Sequence, residues 1–350
     1  MENQSKLMKL SVPVISVILG LLIGAVIMAV SDYNPLKAYS ALFEGIFGGS
    51  YFLGETIRQM TPLILSGLAV AFAFRTGLFN IGVEGQLLVG WLASVYVGVT
   101  VDAPAVIHIP LAIAAAAVAG GLWGAVPGFL KARFMVHEVI TTIMMNYIAL
   151  YSTNAIIRAY LLAPGERTES IKQSASLKSA WLENATDYST LHYGFIVALI
   201  AAAVMWFILW RTTTGYELRS VGFNQHASQY AGINVSRNIV LSMAISGAFA
   251  GMAGSMEGLG TYQYMTINAG FTGVGFDGIA VALLGANSAL GVIFGAALFG
   301  GLKIGALNMQ SIAGVPTEII GIVIALIIFF VACSYLVHWV VNRVNKGGKI

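Results

Sequence analysis

An all-α fold, a polytopic membrane protein with about ten transmembrane helices, is predicted by three features of this sequence. Apolar residues make up 58% of the chain and charged residues only 9%, where ordinary soluble domains carry about a quarter charged residues. The apolar residues fall in runs near the length of about 20 that crosses the hydrocarbon of a bilayer. Forty glycines supply small surfaces, which let helices approach closely where lipid offers no hydrophobic drive between them.

The first run extends from roughly Leu10 to Val30. It is long for a signal peptide and lacks a small-residue cleavage site, so it is kept as a helix. The others are Thr61 to Phe74, Gly82 to Val101, Ile107 to Leu130, Val139 to Leu162, Tyr193 to Trp210, Ile239 to Leu259, Gly273 to Gly285, Leu290 to Leu307 and Glu318 to Val341. The eighth, from Gly273, is short and glycine-rich, the pattern of a broken or re-entrant helix. Lys and Arg set the direction, because cytoplasmic loops carry the excess of both. An internal amino terminus places Lys6, Lys9, Arg75, Lys131, Arg133, Arg211, Arg219, Arg237, Arg343, Lys346 and Lys349 inside, and leaves Lys37, Arg58 and Arg158 outside. Both termini are then cytoplasmic, and residues 1–350 form a single transmembrane domain.

Two connecting segments are long. The external one, residues 163–191, is polar with mixed charge, and reads either as a solvated connector or as a docking surface for an external partner. Asn184-Ala185-Thr186 within it matches a glycosylation triplet, a pattern too short to weigh much. In the cytoplasmic one, residues 212–238, Asn224 is a good helix N-cap and Gly232 a good stop. A helix of about two turns fits between them, with Ala227, Tyr230 and Ala231 on one face. So short a helix is marginal alone in water, and must rest on the membrane domain or in a groove of a partner.

Catalytic patterns are missing. Gly347-Gly348-Lys349-Ile350 lacks the spacing and hydroxyl of a phosphate-binding loop. His137-Glu138 opens like a zinc-protease motif, but Thr141 stands where the second histidine belongs. The single cysteine, Cys333, excludes an intramolecular disulfide, and no nucleophile elbow occurs. The chain therefore reads as a non-enzyme without a cofactor or metal of its own.

Polar residues inside the apolar runs are few: Asn80, Glu84, Asn146, Glu257, Asp277, Lys303 and Glu318. Glu84 and Glu318 stand near helix starts, where a carboxylate suits the helix dipole. Asn80 can cap a helix, Asn146 can join two helices and Lys303 can snorkel. Asn80, Glu84, Asn146 and Asp277 are the candidates for a translocation path or gate. A faint echo links FNIGVEGQLLVG, from Phe79, with FDGIAVALLGAN, from Phe276. Paired glycine-interrupted segments of this kind point to inverted-repeat transporters.

Four stretches carry a resemblance: GLFNIGVEGQ from Gly77, HEVITTIMMNYIA from His137, GYELRSVGFNQHASQYAGINVSR from Gly215 and GFDGIAVALLGANSALGVIFGA from Gly275. In this order they resemble the permease subunits of bacterial ABC importers, in the ribose and branched-chain amino acid permease superfamily. The Phe-Asn-Ile-Gly-x-Glu-Gly form resembles the nucleoside-uptake branch. The resemblance implies a multi-pass protein of the bacterial plasma membrane. It implies as partners a second, related permease, cytoplasmic ATPase subunits that use ATP and magnesium, and an extracytoplasmic solute-binding lipoprotein. It implies that the loop from Gly215 is the coupling element, with Glu217, Arg219, Asn224, Ala227 and Tyr230 at the ATPase contact and Gly215, Gly222 and Gly232 setting its turns. GLFNIGVEGQ is then the start of a span first and an inner gate second. Two alternatives stand beside the nucleoside importer. One is the same machine carrying a monosaccharide or another small polar solute; the other is an ion-coupled secondary transporter using Glu84, Glu257 and Asp277.

Overall fold

The computed structural model describes residues 2–332, and side chains at 15 and from 17 to 330. Cys333, Arg343, Lys346, Lys349, the end of the tenth run and the side chains of Lys6 and Lys9 lie outside the described residues. Among the described residues the only β pairings are isolated bridges. The helices are α1 (Glu2–Val30), α2 (Pro35–Phe47), α3 (Ser50–Arg75), α4 (Val83–Thr100), α5 (Ala105–Phe134), α6 (Glu138–Ile156), α7 (Ala180–Ala185), α8 (Gly194–Arg211), α9 (Thr213–Phe223), α10 (Gln225–Tyr230), α11 (Val235–Met256), α12 (Val274–Leu284), α13 (Ala289–Ala313) and α14 (Thr317–Ala332). One π turn ends α6, at Ile157–Leu161, and another ends α11, at Glu257–Thr261.

Each predicted run overlaps a helix, and among the described residues six of them meet the length and apolarity of a full span. Those six, long and apolar enough to cross a membrane, are α3, α4, α5, α8, α11 with its π turn, and α13. The apolar part of α1, α12 and α14 are shorter apolar helices. At 11 residues, α12 covers only about half a bilayer. Polar Thr, Asn and Glu residues interrupt the apolar character of α6. The short α2, begun by the side-chain oxygen of Asn34 accepting from Leu36 N and Lys37 N, has no counterpart in the sequence reading.

The chain forms two compact units, one of residues 1–52 and 301–350, the other of residues 53–300. In the first, Gly20 and Gly24 of α1 let Ile327 and Val323 of α14 approach closely. Asn308 Nδ2 donates to the Ala41 carbonyl at 2.7 Å.

The larger unit is organised around α11, which packs on α4 and α5. Small residues set these contacts: Gly120 and Gly124 of α5 meet Gly247 and Gly251 of α11, and Gly90 of α4 meets Gly251. A Cβ on Gly251 would strike the Ala116 carbonyl. With apolar surroundings on every side, such backbone proximity is the source of helix association. The basic side chains Arg75, Lys131, Arg211, Arg219 and Arg237 gather toward one end of this unit, termed the basic end. The 163–192 segment covers the other.

That segment is more than a solvated connector. Its backbone is tied down by Ile171 N to Gln263 O and Lys172 N to Gly98 O, each 2.9 Å, and by Leu177 N to Leu259 O at 3.0 Å. Ile171, Ala175, Leu177, Leu182 and Leu191 are buried. His192 is fully buried, its Nδ1 accepting from Gly194 N while Nε2 has no partner. Burial, helped by the positive charges of Arg58 and Lys178, pushes its imidazole down to about 3.

Replacing Gly251 by Val is expected to separate α11 from α4 and α5; size-exclusion analysis after heating should show loss of the monodisperse species well below the wild-type temperature. The His192 shift has a definite sign, because the unfolded imidazole takes a proton near 6.5 and the folded one only near 3. Stability is therefore complete above the upper value and falls with pH below it, by on the order of 1.4 kcal/mol per pH unit. Melting at about pH 7.5 and about pH 5 should show a smaller acid penalty in His192→Gln than in wild type.

Candidate functional site

Two chain breaks converge deep inside the larger unit. From the basic end, residues 76–82 climb beside α11 without helical structure. Ser242 Oγ donates to Thr76 Oγ1 at 2.8 Å, and Asn80 Nδ2 donates to Ser246 Oγ at 2.8 Å. Ser246 is 11 positions beyond Val235, the start of α11, hence about 16 Å along that helix. Only there does α4 begin. From the opposite end, an extended segment descends after Tyr262, fixed by Met265 N to Thr168 Oγ1 and by a reciprocal pair between Asn154 and Asn268. It reaches the start of α4, where α12 begins and runs on to the basic end.

The N-termini of these two short-starting helices meet at Glu84. Its Oε1 accepts from Thr272 Oγ1 at 2.6 Å and Gly273 N at 2.9 Å, and its Oε2 accepts from Gly275 N at 2.6 Å. Two of the three donors are backbone amides at the positive end of α12, a natural seat for a carboxylate. Gly273 turns the chain with φ +84°, and Gly275 lies against the Glu84 backbone with no room for a Cβ. Asn146 of α6 completes the joint: its Oδ1 accepts from Gly85 N at 2.8 Å and its Nδ2 donates to Ile81 O at 3.0 Å.

Asn80, Glu84 and Asn146 are thus brought together and buried. Asn80 does not cap α4. Its Oδ1 accepts from Gly82 N at 2.9 Å, while its amide bonds Gln86 Oε1 and Ser246 Oγ. Gly82 occupies the cap position instead. Asp277 lies in the first turn of α12, partly buried. The surface beside this joint comes from residues the sequence reading passed over. Ala269, Gly270 and Thr272 are exposed in the non-helical segment. Tyr147, Phe271 and Phe276 form a ring array with centroids 5.0 and 5.6 Å apart.

A signal for this joint was present in a different register. The Gly-Val pair at 82 and 83 recurs at 273 and 274, and the same offset of 191 relates Glu84 to Gly275, which abuts it. The echo anchored on Phe79 and Phe276 instead shifts the second segment downstream of its contact.

At the basic end, α9 packs inward. Gly215 lies against the Ile208 carbonyl and Gly222 against the Arg75 carbonyl, where neither has space for a Cβ. Glu217 Oε2 accepts from Asn238 Nδ2 at 2.9 Å, and the Arg219 guanidinium lies 4.2 Å from the Trp210 ring centroid. By contrast α10 projects outward. Asn224 Oδ1 caps it at Ala227 N, 3.0 Å away, and Gly232, with φ +82°, ends it. Ala227 is exposed, and Phe223 and Tyr230 are 90% and 96% exposed. Among the described residues no cluster of His, Cys, Asp and Glu could hold a metal.

The sequence is similar to that of known proteins. The family described as branched-chain amino acid transport system / permease component matches residues 52–344. The chain belongs to this permease family. A guanosine ABC transporter permease protein of Bacillus subtilis is 64% identical over 98% of this chain and 99% of its own length. A nucleoside ABC transporter permease protein of Lactococcus lactis is 41% identical over 97% of this chain and 94% of its own. A glucose ABC transporter permease protein of Haloferax volcanii is 33% identical over 92% and 87% respectively. No solved structure matches the chain. The permease is a multi-pass membrane protein and a transport subunit, and its polar joint sits in the matched region.

Glu84→Gln removes an acceptor and turns an NH₂ group toward amides that already donate. Loss of a charged hydrogen bond of this kind costs about 1.5–3 kcal/mol, so the variant should insert normally but melt several degrees lower. Thr272→Val, which removes one donor and leaves both amide contacts, should lose less.

Proposed function

We propose that the permease forms the translocation path for a nucleoside in an ATP-driven importer. The observation that carries this reading is the non-helical stretch Ala269–Thr272, exposed at Ala269, Gly270 and Thr272, beside the buried Glu84 joint. Backbone of this kind is tolerated at membrane depth only inside protein or along a water-filled cavity. Discontinuous helices meeting at half-depth build solute sites in other transporters. Asn80, Glu84 and Asn146 hold the wall of the path from behind, and Asp277 stands at its edge. An uncharged nucleoside needs no counter-ion. It needs aromatic faces for its base and hydroxyl groups for its ribose, and Phe271, Tyr147 and Thr272 offer both. The identities to guanosine and nucleoside permeases favour the same solute class.

The Lys and Arg excess supports a cytoplasmic position for the basic end. There the exposed face of α10 inserts into a cytoplasmic ATPase subunit that binds ATP and magnesium. A second permease, related to this one, closes the path, and an extracytoplasmic lipoprotein delivers the solute. Nucleotide and solute then bias two states that lie within a few kcal/mol of each other. A monosaccharide remains the second reading, favoured by the identity to a glucose permease. Ion coupling through Glu84 fits less well, because three donors already occupy its carboxylate.

The test is uptake of radiolabelled guanosine, uridine and ribose by cells lacking and regaining this chain, with and without ATP depletion. Nucleoside uptake should depend on both the chain and ATP, with ribose unaffected. Loss of ribose uptake alone would transfer the reading to a sugar, and uptake that survives ATP depletion but not an uncoupler would remove the ATPase. In the same cells, Tyr230→Ala should abolish most uptake and reduce co-purification of the ATPase without lowering the amount of permease in the membrane.

A further inference from the structure

Three arginines at the basic end have no carboxylate partner among the described residues, where ion pairs involve only other side chains. Arg75 is fixed in place: its Nε donates to Asn287 O at 2.9 Å and its Nη2 to Ala286 O at 3.4 Å. Arg75 and Arg219 both lie over the ring of Trp210, at 6.0 and 4.2 Å from its centroid, and Arg211 lies 5.3 Å from that of Trp206. Arg75, Arg219, Trp210 and Phe223 line a cleft of about 390 Å³.

One turn along the same helix, an apolar groove of about 290 Å³ runs between α8 and the start of α13, lined by Leu199, Ala202, Ala203, Trp206, Leu290 and Ile293. Trp206 belongs to this groove and also carries Arg211. Cationic cleft and apolar groove are therefore neighbouring parts of one surface. On the adjoining face of α8, Ile200, Val204 and Phe207 are exposed as well, as expected for a helix turned toward lipid.

We propose that this surface is a binding site for an anionic glycerophospholipid, whose phosphate is held by Arg75, Arg211 and Arg219 and whose acyl chain lies in the groove between α8 and α13. Guanidinium groups match phosphate with paired donors, tryptophan favours the headgroup level, and basic pockets between membrane helices suit anionic headgroups. A protein partner would satisfy the arginines but would leave the adjoining apolar groove, which lies on a helix long and apolar enough to cross a membrane, without a role. A bound headgroup would bridge α3, α8 and α9, and so steady the segment that leads into α10.

The experiment uses the full-length chain purified in detergent and stripped of lipid, then supplied with phosphatidylglycerol or phosphatidylcholine of identical acyl chains. Native mass spectrometry and thermal melting provide the readouts. Phosphatidylglycerol should be retained and raise the melting temperature, while phosphatidylcholine and inorganic phosphate should do neither. The double variant R211Q/R219Q should lose about tenfold in retention, a modest figure for two charged contacts, and R211K/R219K should recover part of it. On the wild-type chain alone, short-chain phosphatidylglycerol should bind more weakly than the long-chain form. Equal response to the two headgroups, an undiminished response in R211Q/R219Q, or equal binding of short and long chains would overturn the proposal. A shift with inorganic phosphate equal to that with lipid would make it a free-anion site, and loss of ATPase association with lipid retention intact would make it a protein contact.

Discussion

Glu84 exchanges water for a hydroxyl and two backbone amides, and the larger unit is built around that exchange. A carboxylate at this depth is tolerable only with its charge answered, and here the answer is the open N-terminus of α12. The converse holds equally: amides at the start of a helix that begins inside an apolar layer need acceptors that the layer does not contain. Each group removes the other's penalty. The broken path of the backbone on both sides follows, since neither α4 nor α12 can extend through the point where they meet. Asn80 and Asn146 serve the same requirement, satisfying loop amides and carbonyls that no helix closes.

What was legible in the sequence was local. Asn224 and Gly232 bracket α10 because a cap and a stop act on amides only a few positions away, so their chemistry shows in the residue order. The apolar runs were legible for the same reason. Glu84 was legible as a residue in need of an explanation, but its partners lie 188 to 191 positions away, and no periodicity reports such a pairing. The 163–192 segment was legible only as a choice between a solvated connector and a docking surface. Its composition is that of a solvated connector, yet its backbone is bound to Gly98, Leu259 and Gln263 and its few apolar residues are turned inward. The 212–238 loop divides along the same line. Gly215, Glu217 and Gly222, to which the resemblance gives a partner contact, are packed against the chain itself, while Arg219 lies over Trp210 at the edge of a cleft. Phe223 and Tyr230 are left outside.

The two ends of the larger unit are also built differently. At the connector end, extended backbone and buried His192 close over the helices through hydrogen bonds that water could also make. At the basic end, contact is by stacked arginine and tryptophan and by glycines against carbonyl groups. The first arrangement fixes a surface in place. The second leaves charged and aromatic groups at the boundary of the apolar layer, able to meet partners of more than one kind.

The contacts also form an unbroken route from α10 to Glu84. Residue Asn224 joins α10 directly to α9, and Gly222 of α9 rests against the backbone of Arg75 and Thr76. The Arg75 side chain grips the carbonyls of Ala286 and Asn287, just beyond the end of α12. With 11 residues, α12 is a rod of about 16 Å, and its far end is the set of amides that Glu84 holds. On the proposed reading, a push on α10 is delivered to both sides of the joint at once, through the end of α3 and through α12. The path beside Ala269–Thr272 would then change because its wall is hinged at one carboxylate, whereas a continuous helix in the same place would have to bend or move as a whole.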